Sequence, residues 1–213
     1  MAASGTALGI FITFEGGEGG GKSRQSRILT RHLRRRGIPV LLTHEPGGEP
    51  LAARLRRLLK GNSALTPEAE LLLFAASRAQ LTSRVIRPAL AGGRVVVCDR
   101  YADSTLAYQG YGRGVDREAI RAANRVAMSG LTPDITVLLD VPEEVGLARK
   151  HTDDDRFIRE PLPFHQRVRQ GYLELSRLEP QRWLVVDALL PEKEVARAVW
   201  ERVAPLLPRG DRP

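Results

Sequence analysis

The stretch Gly16-Gly17-Glu18-Gly19-Gly20-Gly21-Lys22-Ser23 satisfies the spacing GxxxxGK[ST] and follows the apolar run Ile10-Phe11-Ile12-Thr13-Phe14. Glycines let the backbone turn inward so that successive N–H groups face one centre, the lysine reaches terminal phosphates, and the serine hydroxyl can sit on Mg²⁺. The chemistry is the cradling of a nucleoside triphosphate, which alone does not say what becomes of it. A carboxylate for the same site stands at Asp99, where the run Arg94-Val95-Val96-Val97-Cys98 ends. Arg100 follows it, Arg78 lies inside a helical stretch, and Arg149, Arg156 and Arg159 surround a polar irregular segment. Phosphoryl transfer spreads charge over oxygens and needs positioned cations more than covalent help, so a second phosphate, as acceptor, would use arginines of this kind. No N-K-x-D element of a switch GTPase follows the fourth apolar run, where Leu139-Asp140-Val141-Pro142 stands instead.

The elements that must hold these groups alternate between buried strands and helices. Apolar runs at 10–14, 40–43, 94–99, 134–140 and 183–187 read as strands, several apolar on both faces and so covered by helices. Helical patterns occupy the intervals, with Gly37 ending the first. Thr66-Pro67-Glu68 starts a long one that runs to about Leu90 before Gly92-Gly93. Segments 101–109 and 117–128 read as helices separated by the turn Gly110 to Gly114, and three more follow at 142–150, 164–178 and 192–207. Strands alternating with helices give a parallel α/β sheet, because parallel neighbours need a crossover.

Composition sets the surroundings. At 213 residues, 42% hydrophobic and 27% charged, the chain reads as one globular domain, 1–213. No apolar run approaches a membrane span and the first residues lack the blocks of a secretory signal, so the expected place is the cytoplasm, without a membrane partner. The single cysteine, Cys98, agrees with a reducing compartment and reads as an inert core thiol. A formal net charge of +8 asks for an anionic partner, either phosphates gathered in a cleft or nucleic acid along a basic face. Arg31, Arg34, Arg35 and Arg36 could suggest the latter, but they end a helix, where the dipole favours cations. His32, His44, His151 and His165 lack metal-ligand spacing and read as surface or structural residues. Arg209-Gly210-Asp211 is a coincidental tripeptide in a frayed tail.

Glu45-Pro46-Gly47-Gly48, Phe74 to Arg78 with Gln80, and above all the run from Asp99 to Gln109, which fits D-R-[YH]-x-x-S-x-x-A-[YF]-Q, resemble thymidylate kinase of the bacterial type over nearly the whole chain. The resemblance implies a P-loop nucleoside-monophosphate-kinase fold: three layers, α/β/α, around a five-stranded parallel sheet in the order 2-3-1-4-5, with a monophosphate region at about 45–110 and a short lid at about 150–160. It implies the reaction ATP + dTMP → ADP + dTDP with Mg²⁺, in a homodimer.

The same resemblance assigns Gly16 to Ser23 to ATP and Lys22 to the transferring phosphoryl group. Ser23 would hold Mg²⁺ directly and Asp99 through a water. Arg100 would grip the dTMP phosphate, Phe74 would stack on thymine, Arg78 would donate to its O4 edge, and Ser104 would lie near N3. Tyr108 would close against C2′, Glu18 would sit near the 3′-OH and the phosphate, and Gln109 would line the pocket. The essential arginine comes either from the P-loop or from the lid in such enzymes; the P-loop position here is Gly19, which leaves Arg156 first and Arg149 second. The sequence departs from the pattern at Arg24 and Glu49, where hydroxyl residues are usual, and at His44, which replaces an arginine. A cis peptide before Pro46 is a further expectation. A phosphate monoester has a second pKa of about 6, so the acceptor is a dianion at neutral pH and no general base is needed. A kinase for another monophosphate, a nucleic-acid-dependent ATPase and a non-catalytic nucleotide-binding module are the rival readings.

Overall fold

The computed structural model describes residues 9–61, 64–150 and 155–207. Five strands, β1 (Phe11–Glu15), β2 (Val40–His44), β3 (Val95–Asp99), β4 (Ile135–Asp140) and β5 (Trp183–Asp187), form one parallel sheet in the order β2-β3-β1-β4-β5. The helices are α1 (Lys22–Arg35), α2 (Pro50–Lys60), α3 (Pro67–Leu81), α4 (Arg87–Ala91), α5 (Ala102–Thr105), α6 (Arg117–Met128), α7 (Glu143–Ala148), α8 (Leu162–Leu178) and α9 (Glu192–Val203). The strand order is the expected one. It sets the carboxyl ends of β1, β3 and β4 side by side, where the direction of winding reverses and a crevice opens.

Side chains alternate across the sheet with the strand period of two. Ile12, Phe14, Val95, Val97, Val137 and Leu139 pack with Leu29 and Leu33 of α1 and with Val195, Val199 and Val203 of α9. Phe11, Val96 and Cys98 face the other way, onto Leu81, Ile86, Leu90 and Tyr101. A third apolar cluster joins Ala107 and Tyr108 to Leu138, Phe164, Val168, Tyr172 and Trp183, so α8 is buried against the segment that carries the sequence motif.

The long helix expected to about Leu90 is continuous in path but takes a π-helical turn at Thr82–Ile86 between α3 and α4. Pro88 explains it: the ring removes the bond to the carbonyl four residues back, at Arg84, and crowds it, and one wide turn relieves both. The turn expected at Gly110 to Gly114 begins later. A second π-helical stretch, Leu106–Gly112, carries the chain through Gly112, whose carbonyl accepts from Arg167 Nη2 at 2.9 Å. A Cβ at Gly112 would stand 2.6 Å from the Phe164 ring, so the glycine is a packing requirement rather than a helix stop. The Thr66 hydroxyl caps α3 by accepting from Ala69 N at 3.2 Å. His151 and the 209–211 tripeptide lie outside the described residues.

Leu139 is fully buried in β4, so Leu139→Ala should lower the unfolding free energy by about 2–5 kcal/mol. Leu178→Ala, at a position 70% exposed, should change it by less than about 0.5 kcal/mol. Urea titrations of the two variants check this, and equal effects would contradict the placement of the core.

Candidate active site

The glycine loop leaves the end of β1 and runs into α1 as a cradle. The Lys22 ammonium donates to the Gly17 carbonyl at 2.6 Å and is almost buried, and Ser23 Oγ donates to Asp99 at the end of β3. Burial, with Arg100 nearby, draws the Lys22 pKa down to about 8, against the opposing pull of Glu18 and Asp99. Gly19 adopts φ +68°, and a Cβ there would fall 1.9 Å from the Gly146 carbonyl oxygen of α7. No side chain fits at that point, so position 19 cannot hold an arginine.

Arg100 joins this cradle to the second half of the crevice. Its backbone takes φ +71°, a left-handed value that a non-glycine residue rarely adopts, directly after β3. The guanidinium Nη1 donates to the Gly16 carbonyl at 3.0 Å, to Ser104 Oγ at 3.3 Å and to the Tyr172 hydroxyl at 3.2 Å. Nη2 donates to Glu18 at 2.7 Å and to the Tyr108 hydroxyl at 2.9 Å. Below it, fully buried Glu15 accepts from Tyr101 N at 2.7 Å, Ser104 Oγ at 2.6 Å and Tyr172 at 3.0 Å. The two carboxylates are tuned apart. Burial would raise Glu18, but the charges of Arg100 and Lys22 win and hold it well below the usual carboxylate range. Burial, and then the charge of Asp103, push Glu15 up to about 7.

A cleft of about 590 Å³ opens over these groups and includes Glu18, Lys22, Ser23, Asp99, Arg100, Ser104, Tyr108, Phe74 and Gln109 in its wall. Phe74 faces Phe157 across 6.0 Å between ring centres. Arg78 is not part of the wall. It is buried behind it, donating to Glu45 at 2.9 Å, Asn124 at 2.7 Å and the Tyr101 carbonyl at 3.2 Å. The two lid arginines part company as well. Arg149 lines the cleft with Nη1 3.4 Å from the Gly19 carbonyl and 3.3 Å from that of Ala188, and Lys150 beside it approaches Glu18 at 3.9 Å. Arg156 turns away from the cleft, to the Leu59 carbonyl and to Glu70, with Nη2 2.6 Å from the Glu70 carboxylate.

The model of the family described as thymidylate kinase matches residues 14–199. The chain is 51% identical to the thymidylate kinase of Thermomicrobium roseum over 205 residues, 95% of this chain and 98% of that one. It is 53% identical to that of a Synechococcus species over 199 residues, 93% and 96% of the two chains. The chain belongs to the thymidylate kinase family. The crystal structure of thymidylate kinase from Ehrlichia chaffeensis superposes with a TM-score of 0.78 at 34% identity, covering 92% of this chain and 99% of that one. Membership in this family makes the chain a nucleoside monophosphate kinase.

The positions where the sequence leaves the thymidylate kinase pattern have local reasons. Glu49 caps α2, accepting from Leu51 N at 3.1 Å and Ala52 N at 3.0 Å, as a hydroxyl residue would. Arg24 pairs with Glu192 at the rim of the cleft. His44 is exposed at the cleft, a surface position as expected, and desolvation, followed by the charge of Arg56, lowers its pKa. The peptide between Glu45 and Pro46 is cis, as expected. Three participants escaped the sequence reading: Glu15, Tyr172 and Glu70. Each lies far along the chain from its partners; Tyr172 and Glu15 are separated by 157 residues, and only the apolar surroundings of a lone carboxylate at a strand end could have pointed to Glu15.

The raised pKa of Glu15 has a definite sign in stability. Folded Glu15 keeps its proton up to about pH 7 and the unfolded chain releases it near 4.5, so between these values the folded state binds more protons and loses stability as pH rises. Glu45, raised to about 7 by burial against the pull of Arg78, contributes the same trend. Glu15→Gln should therefore gain Tm relative to the wild type as pH is raised from 4.5 to 7.5. A difference between the two Tm values that stays constant over that range would contradict the assignment.

Proposed function

We propose that this chain phosphorylates dTMP to dTDP with the γ-phosphoryl group of ATP, and that it does so by positioning and charge without a general base. The ATP phosphates lie on the amides of Gly16 to Ser23, with Lys22 reaching the transferring group. The dTMP phosphate lies against Arg100. An oxygen of that dianion attacks the γ-phosphorus in line, the bond to the β-phosphate oxygen breaks, and ADP leaves with no proton removed by the protein. Arg149 and Lys150, both in the cleft wall, meet the charge that spreads over the equatorial oxygens. Arg156, placed first for this task by the sequence, is occupied by Glu70 and is assigned to the base end.

Ser23 and Asp99 offer a hydroxyl and carboxylate oxygens beside the cradle, a hard donor set that suits Mg²⁺ with phosphates and waters completing its shell. Mg²⁺ bound there neutralises phosphate charge. Phe74 stacks on the base, and Tyr108 stands where it closes on C2′, its hydroxyl fixed by Glu18 and Arg100. Glu18, ionised, takes the 3′-OH. The Ser104 hydroxyl donates its hydrogen bond to Glu15 and accepts from Arg100, which leaves the N3 edge to Gln109. Arg78 steadies this end by holding Glu45.

The working unit is a homodimer of one kinase domain each, in the cytoplasm. No helix among the described residues is long and apolar enough to cross a membrane. Leu58, Leu72 and Val126, on the neighbouring helices α2, α3 and α6, are at least half exposed and supply an apolar face for a second copy.

The observation that carries the reading is that Arg100 and Lys22 line one cleft with Phe74 and Gln109. Coupled ADP release with Mg²⁺ and ATP should depend on dTMP and exceed that with dCMP, dGMP or AMP. Lys22→Met should lower kcat by roughly 10²–10³-fold. Preference for another monophosphate, or turnover stimulated by nucleic acid instead, would overturn the reading.

A further inference from the structure

Glu70, in the first turn of α3, is buried and takes no part in the cleft wall, yet it collects three donors. Gln109 Nε2 donates to its Oε1 at 2.6 Å, Arg156 Nη2 to its Oε2 at 2.6 Å, and Arg113 to both oxygens at 3.3 and 3.2 Å. A carboxylate between two guanidinium groups has only acceptors to offer. The Gln109 amide must therefore turn its nitrogen toward Glu70, and its oxygen is left for the cleft that Gln109 lines. An amide without such a partner can take either sense at similar energy, because its two ends differ only in what they donate or accept.

We propose that Glu70 is a specificity-determining positioning residue: by holding the Gln109 nitrogen it fixes an acceptor toward the N3 edge of the base. Thymine presents N3–H there and is accepted. Cytosine presents a bare N3, and two acceptors facing each other leave both unpaired in a water-poor site. Arg156 belongs to this device. Its bond to Glu70 ties the segment before α8 to the orientation of the base reader, and its guanidinium lies over Phe157, itself in the cleft wall, at 4.7 Å. The inference rests on the dTMP reading of the cleft and adds to it the origin of the choice between pyrimidines.

The test is the ratio of kcat/KM for dTMP to that for dCMP, with dUMP as the control that keeps N3–H. Glu70→Gln should lower the dTMP to dCMP ratio by at least about tenfold, while the dTMP to dUMP ratio stays within about twofold. Because Glu70→Gln takes the carboxylate partner from Arg156, while Arg113 keeps Glu160, Glu70→Gln with Arg156→Gln restores the balance and should show the same loss. In a Gln109→Met background there is no amide to orient, and adding Glu70→Gln should leave the ratio where Gln109→Met put it. A parallel fall for dTMP and dCMP in the Glu70 variants would reduce Glu70 to a structural role and overturn the proposal. Wild-type protein inactive on dTMP would instead overturn the functional reading beneath it.

Discussion

One guanidinium holds the two halves of the crevice together. Arg100 bonds to the loop after β1 through Gly16 and Glu18, to the π-helical stretch after α5 through Tyr108, and to α8 through Tyr172. It does so from a backbone conformation that L residues avoid, fixed by the bond from its own N–H to the Phe14 carbonyl at 2.9 Å. Strain of this kind persists only where the surroundings over-determine it, and five acceptors around one side chain are such surroundings. The parallel sheet makes the meeting possible, because β1 and β3 are neighbours whose carboxyl ends reach the same level at Phe14 and Asp99.

The charges around Arg100 are arranged to leave it able to meet an anion. Glu18, on the cleft side, is ionised and shared with Tyr108, while Glu15, on the buried side, is kept close to neutrality by burial. A second full carboxylate beneath the guanidinium would have saturated it. A carboxyl that titrates near 7 and accepts from Ser104 and Tyr172 orients the fork without cancelling its charge. The phosphate cradle follows the same logic, with the Lys22 ammonium pulled down to about 8 by burial and held by one backbone carbonyl rather than by a dedicated counter-ion.

Much of this was legible in the sequence because it was written locally. The glycine loop, the apolar run before it, the runs ending in Asp99 and Asp140, and the Thr66-Pro67 helix start all declare themselves within a few residues. The roles of side chains that act across the fold were less so. Arg149 and Arg156 sit in a polar segment with no periodicity to say where either points, and the one that the sequence puts first is the one that Glu70 occupies. Glu70 itself looks like an ordinary acid in the first turn of a helix, where the dipole welcomes it. Arg78 has the right spacing from Phe74 but is buried behind the wall, because Glu45 and Asn124, 33 and 46 residues away, claim it. Glu49, a departure from the family pattern, is a helix cap. The helical path runs past Gly110 to Gly112, where a glycine that reads as a stop is instead required by close packing on Phe164.

The central claim is that Arg100 is the seat of the acceptor phosphate and not only a brace between two segments. Calorimetric titration of dTMP and of thymidine into the wild type and into Arg100→Gln separates the two. The account predicts that the wild type binds dTMP far more tightly than thymidine and that Arg100→Gln loses most of that advantage while its affinity for thymidine changes little. An advantage of dTMP over thymidine that survives intact in Arg100→Gln would contradict it.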